Sequence, residues 1–414
     1  MFSFYKKNTL LIILIAIIFS LACCDTSLVD ANINIFKYFN LAIDQGKFQD
    51  VHILLPNNFI DKKIEFNLYL ISKDPFITLK FISPKQKNIN IALNDTLINN
   101  EMEGMDIVLN KNDNINISIS ILANKKDIKT YNIKTYLNNS IKNTLRQASS
   151  GDIIIVTPGI YCENNIVFNK KLTLQSIDSE NNNIQLSTII NGEEKGSIIK
   201  FNNAASSGSI FTGFTIQNGN SGLGGGIYIC NSSPNIVNNI ITNNSSTYQG
   251  GGIYICGGSP MVINNIISNN FVADYGGGGI YIATCSPFIA DNIISHNSSK
   301  GNGGGIYVYD YSSPIIKNNI ISDNLSKNNG GGISIYDYCS PIIKNNQILK
   351  NTSFNCGGGI YMDWNMKPII TDNIISGNLS KNNGGGIAMD DKNYPIIKDN
   401  IINKNSKPEI FYLP

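Results

Sequence analysis

From about residue 220 to 405, short apolar runs alternate with glycine and asparagine on a fixed beat. The segment GGGIYVYDYSSPIIKNNIISDN (303–324) returns at 330–351 as GGGISIYDYCSPIIKNNQILKN. Ile227, Ile253, Ile280, Ile306, Ile333, Ile360 and Ile387 each follow a glycine run, at intervals of 26 or 27 residues. Pro234, Pro260, Pro287, Pro314, Pro341, Pro368 and Pro395 keep the same beat. A unit of this size cannot bury its own apolar face, so neighbours must stack into a solenoid. The strands within each unit are brief, which predicts a β-helix and not a helical array.

Substitution between copies separates inside from outside. Two places after each proline the residue is always aliphatic, Ile236 through Ile397, whereas the next place drifts to Lys317, Lys344, Thr371 and Lys398. The first column faces in and the second out. Two columns never lose asparagine, one from Asn239 through Asn400 and one from Asn244 through Asn405. Stacked about 4.8 Å apart, such amides can hydrogen-bond along the axis and satisfy backbone at the bends. A tyrosine column, Tyr228, Tyr254, Tyr281, Tyr307 and Tyr361, is interrupted at Ser334 and reads as an outward aromatic ladder.

The chain before the repeats reads differently. Residues 23–137 hold alternating stretches such as FITLKFI (76–82) and NINISISIL (114–122) between polar turns, the pattern of half-buried antiparallel strands and hence of a small β-sandwich. Ile141, Leu145 and Ala148 lie at helical spacing and predict a short helix near 140–148, at the start of a solenoid domain running 138–414. At the N-terminus, Lys6 and Lys7 precede an apolar run from Leu10 to Ala22, too short to span a membrane and of the right length for a signal peptide over 1–22.

Composition narrows the function classes. Across 414 residues, 42% are hydrophobic and 15% charged, and the net charge of +2 sets up no general field for nucleic acid, which is not expected as a partner. Arg146 is the only arginine, and His52 and His296 are the only histidines, so arginine clamps and histidine clusters are excluded.

Three resemblances follow from these residues. SLAC (20–23) resembles a bacterial lipobox, with Ser20 where an aliphatic residue is usual, and implies export, lipidation of Cys23 and a membrane partner through the lipid anchor. NDNINISISILANKKDIKTYNIKTY (112–136) resembles the last hairpin of cadherin-like spacer domains. The stretch GDIIIVTPGIYCENNIVFNKKLTLQS (151–176) and the repeats resemble right-handed parallel β-helix proteins, and more loosely the repeats of chlamydial polymorphic outer-membrane proteins. The resemblance implies an all-β chain: a right-handed parallel β-helix, a single-stranded solenoid of about 27 residues per coil capped by an N-terminal helix and preceded by the sandwich.

Families on this fold include pectate lyases, polygalacturonases and adhesins, so activity must be sought in a local site. The polygalacturonase motifs and the lyase arginine are absent from the repeats. A lysine-based, calcium-dependent polysaccharide lyase stays open through Lys317, Lys344, Lys367, Lys392 and Lys398 near carboxylates, against their reading as solvated outer columns. The informative irregularity follows the GGGIYI strand, where acids and an aromatic gather in the last four repeats as Asp310, Asp337, Asp363, Trp364, Asp390 and Asp391. Stacked carboxylates repel, and a cation such as calcium at Asp337 and Asp363, or a hydroxyl-rich ligand with Trp364 as a sugar platform, would relieve them; a solvated acidic loop is the competing reading. Cys230 and Cys256 share a column on adjacent coils and are a candidate disulfide, whereas Cys285 and Cys339 lie two coils apart, too far to bond. The expected protein is a monomeric envelope or cell-surface lipoprotein that binds polysaccharide or cell-surface glycan or protein without catalysis, with the lyase or a purely structural envelope component as alternatives.

Overall fold

The structure, a computed structural model, describes residues 140–413 except Asn365, together with the backbone of nine strands between Phe39 and Leu137. The expected signal peptide over 1–22 and Cys23 lie outside the described residues.

Each repeat but the last winds once around the axis through four short strands. In the coil that starts at Ile306 these are Ile306–Tyr309 on face A, Ile315–Lys317 on face B, Ile320–Ser322 on face C and Leu325–Ser326 on face D. Faces A and C are ten-stranded sheets, and face D has seven strands. Pairing between coils is parallel and in register, as in Ile306↔Ile333, Ile316↔Ile343 and Ile321↔Ile348. This is a right-handed parallel β-helix. The inward columns hold: Ile316, Ile343, Ile321 and Ile348 are fully buried, while Ile315 and Ile342 are exposed on the outer side of face B.

The paired asparagines divide two tasks. The first of each pair turns the corner in the left-handed region, as Asn318 does at φ 57° and Asn345 at φ 55°. Asparagine, aspartate and glycine reach that region most cheaply, and the same corner accordingly holds Asp291, Asp372 and Asp399. The second of each pair points inward. Asn346 Oδ1 accepts from the backbone N–H of Asn319 at 2.9 Å and from its Nδ2 at 3.0 Å, while Asn346 Nδ2 donates to Ile316 O at 2.8 Å and Asn373 Oδ1 at 3.0 Å. Every donor and acceptor freed by the bend finds a partner one coil away. A second ladder from Asn244 to Asn405 repeats the pattern between faces C and D, as in Asn351 Nδ2 to Asn378 Oδ1 at 3.0 Å. His296 sits in the left-handed residue before this ladder, at φ 57°, which accounts for its place without chemistry.

The glycine run closes the coil. Gly330 takes φ 66°, and a Cβ on Gly332 would stand 2.7 Å from Gly359 O and 3.0 Å from the ladder amide of Asn351. Backbone there must pass directly against the next coil.

The tyrosine column differs from the expectation. Its rings point away from the coil centre, but Tyr254, Tyr281, Tyr307 and Tyr361 are buried in outer apolar layers. The chain between faces D and A closes over them: Tyr336 Oη donates to Asn302 Oδ1 at 3.3 Å, and a Cβ on Gly276 would stand 2.8 Å from the Tyr307 ring. Successive rings stand 5.3 Å apart from Tyr228 to Tyr254 and from Tyr254 to Tyr281. Where Ser334 breaks the column, the ring of Tyr336 fills the gap, 5.5 Å from Tyr307 and 5.4 Å from Tyr361.

The helix read from Ile141, Leu145 and Ala148 is Ile141–Gln147, capped by Ser140, with all three residues buried. Glu163 fastens it by accepting from the N–H groups of Ile141 and Lys142 at 2.8 and 2.9 Å. In the preceding segment, Asn116–Ala123 and Asp127–Leu137 pair as the expected antiparallel hairpin. Five strands of that segment extend face B into a 15-stranded sheet, because Asn67–Ser72 pairs in parallel with Ile153–Val156. The edge of face B is thereby covered.

Candidate functional site

The corner between faces A and B carries all the singled-out acids. In the first three repeats it is short, since Ile280 to Pro287 spans seven residues; from Ile306 to Pro314 it spans eight, and it stays eight through Ile387 to Pro395. One residue has been added per coil, and only in the last four repeats. The added residues are Tyr311, Tyr338, Asn365 and Lys392.

The local geometry explains why this corner admits such residues. Asn231, Thr284, Asp310, Asp337 and Trp364 all turn the corner at positive φ, between 51° and 70°. Asp310 and Asp337 thus serve the backbone as Asn231 does, since a short polar side chain tolerates the left-handed turn. Tyr311 at φ 51° and Tyr338 at φ 56° follow with a second left-handed residue, an uncommon conformation for a bulky side chain that costs about 1 kcal/mol or more. The corner is held beneath by an inward column: Ser312 Oγ accepts from the N–H of Cys285 at 3.3 Å, Cys339 Sγ from that of Ser312 at 3.2 Å, and Asn393 Oδ1 from that of Met366 at 2.9 Å. Ser312 separates Cys285 from Cys339, whose buried thiols are pushed up to about 12 by desolvation.

The register splits the acids into two columns. Continuing the pairing of Ile335 with Met362 by one and two residues places Tyr336 beside Asp363 and Asp337 beside Trp364. Asp337 and Asp363 are therefore diagonal neighbours. Among the described residues no three His, Cys, Asp or Glu side chains converge as a metal-holding group. Asp363 is half-buried, and desolvation raises its carboxyl above the ordinary range, with the Asp390 charge adding to the rise and the Tyr361 hydroxyl, donating at 3.2 Å, opposing it. Asp390 is held low, chiefly by the backbone N–H of Lys392 donating to its Oδ1 at 2.8 Å.

Aromatic side chains dominate what the corner shows to solvent. Tyr311 is 69% exposed, Tyr338 45%, Trp364 52% and Tyr394 70%. The rings of Tyr311 and Tyr338 stack 5.2 Å apart at 8°, and Lys392 Nζ stands 5.7 Å from the centre of the Trp364 ring. Ile315, Ile342 and Ile396 continue the apolar surface onto face B. In the first three repeats the same corner exposes only small groups such as Asn231, Gly258 and Ser259. The tyrosines were not singled out from the sequence as corner residues, although the change in Ile-to-Pro spacing marks them.

The lysines considered for a lyase lie on the outer surface. Lys344 pairs with Asp372 and Lys398 with Asp399, both at 3.5 Å and well exposed. Cys230 and Cys256, expected as a disulfide, are in register but are free thiols in the structure. In-register neighbours on parallel strands stand about 4.8 Å apart, wider than the Cβ separation of about 3.8 Å that a disulfide prefers.

Fold and comparisons agree on the class. The description of a right handed beta helix region matches residues 278–413, and that of the Chlamydia polymorphic membrane protein repeat matches residues 240–256. No curated protein and no solved structure matches the chain. The repeats form a right-handed parallel β-helix, and their A–B corner is lengthened by one residue in the last four coils.

Proposed function

We propose that the protein is displayed on the cell surface and binds a polysaccharide or another cell-surface ligand at the lengthened corner, in the manner of an adhesin and without catalysis. The observation that carries this reading is the residue added in the last four repeats alone, which places Tyr311 and Tyr338 in the open at a conformational cost the shorter corner avoids. Strained backbone that the fold does not need is a signature of ligand-contacting segments. Exposed aromatic surface of this extent marks interaction sites more often than bare scaffold. The likeness of residues 240–256 to a Chlamydia polymorphic membrane protein repeat supports placement at an outer membrane or cell surface, and lipidation at Cys23 would anchor it there.

A glycan array on the mature protein, with and without added calcium, tests the reading. Binding to a defined set of glycans, unchanged by calcium, is the expected result. Binding that requires calcium would return the acids to the centre of the account, and release of unsaturated sugar products would make the protein a lyase.

A further inference from the structure

At the start of the same corner column, two thiols lie side by side. Face A pairs Cys230 with Cys256 in register, both side chains point outward, and both are partly exposed. We propose that these two cysteines form a reversible disulfide that staples neighbouring coils under oxidising conditions.

Geometry selects this pair. Its Cα separation, about 4.8 Å across a parallel ladder, lies within the range a disulfide spans, while the Cβ atoms must draw together by about 1 Å. The other described cysteines do not compete. Cys285, Cys339 and Cys356 are buried, and Cys162 stands exposed on the strand Gly159–Cys162, in a different sheet. The next coil places Ala283 in register with Cys256, so the column offers no third sulfur. The stacked rings of Tyr228 and Tyr254, 5.3 Å apart and two residues before the pair, resist closer approach of the two strands. A bond that must work against its neighbours and stays accessible to solvent is easily reduced, which makes this a responsive crosslink and not a constitutive one.

The chemistry balances with a disulfide oxidant. The thiolate of one cysteine attacks oxidised glutathione and releases one glutathione thiol. The second cysteine then attacks the mixed disulfide and releases another. One S–S bond is broken and one formed, and the protein's two electrons and two protons end on glutathione.

The test uses the full chain in buffers of graded oxidised-to-reduced glutathione, trapped by alkylation. The expected result is a mass lower by about 2 Da than the reduced chain before alkylation, with one crosslinked peptide pair holding Cys230 and Cys256. Dithiothreitol should reverse it, and the oxidised protein should melt a few degrees higher. Cys230→Ser and Cys256→Ser should each abolish the crosslink, and Cys285→Ser should leave it. Separate glutathione adducts on the two residues, full alkylation at every ratio, or a crosslink that runs to Cys162 instead would overturn the proposal.

Discussion

Two kinds of corner coexist in each coil, and they diverge in how much they vary. At the corners after faces B and C, the inward residue is asparagine in every repeat from Asn239 to Asn400 and from Asn244 to Asn405. At the corner after face A, the corresponding inward residue is Ser312, Cys339, Met366 and then Asn393. The ladder positions must accept two hydrogen bonds from the preceding coil, donate to a backbone carbonyl of that coil and donate to the next ladder amide, and among the side chains only a primary amide of this length does all three. The A–B corner asks for one acceptor at most, and Met366 shows that a residue without one fits. Freedom beneath the corner goes with freedom above it, where acids and aromatics collect.

The largest expected contrast lies in the ladder. Asn346→Ala removes the acceptor of two bonds and leaves Asn319 and Ile316 with unpaired buried groups, so chemical denaturation should register a loss of about 3 kcal/mol. Lys344→Ala, on the outer side of the same coil, should change stability by no more than about 0.5 kcal/mol. Equal effects would mean that the ladder does not hold the fold. Gly332→Ala comes next: its methyl would collide with Gly359 O and the Asn351 amide, and about 2 kcal/mol should be lost.

The A–B corner should respond in the opposite sense. Asparagine tolerates the left-handed turn better than tyrosine does, so Tyr311→Asn together with Tyr338→Asn should leave the unfolding free energy unchanged or raise it by up to about 1 kcal/mol. The smallest effect belongs to Asp363. Burial raises its folded pKa above the unfolded value, so ionisation there costs stability, and the cost appears as pH rises through the folded pKa. Asp363→Asn should therefore be slightly more stable than the parent near neutral pH, a gain that solvent screening keeps small at this half-exposed site. The advantage should vanish below the unfolded carboxyl range. An advantage that instead grew as pH falls would reverse the assigned sign.

Much of this could be read from the repeats. The period, the inward isoleucines and both asparagine ladders emerge because each position is sampled seven times in one chain, and a buried or bonded position does not drift. Conformation was less visible than burial. Within one repeat the first asparagine of each pair looks like its neighbour; its drift to Asp291, Asp372 and Asp399 marks it as different, and φ shows that it turns the corner while Asn319 bonds. The tyrosine ladder was legible as a ladder but not as a buried one, because the segment that covers it is mostly glycine and polar residues, and the apolar residues that join it, such as Leu223 and Cys356, follow no repeating column. The acids drew attention through charge, yet Asp310 and Asp337 meet a backbone need; the added tyrosines beside them are revealed by counting from isoleucine to proline.

The central claim is that the lengthened corner contacts the ligand while the ladders carry the fold. It is tested most directly by titrating the glycan that binds the parent protein against the Tyr311→Asn, Tyr338→Asn variant, with the unfolding midpoint of each measured in the same buffer. The account predicts at least a tenfold loss of affinity, equivalent to about 1.4 kcal/mol, with an unfolding midpoint no lower than the parent's. Affinity retained within twofold would contradict it, and so would a loss of binding that merely tracks a fall in stability.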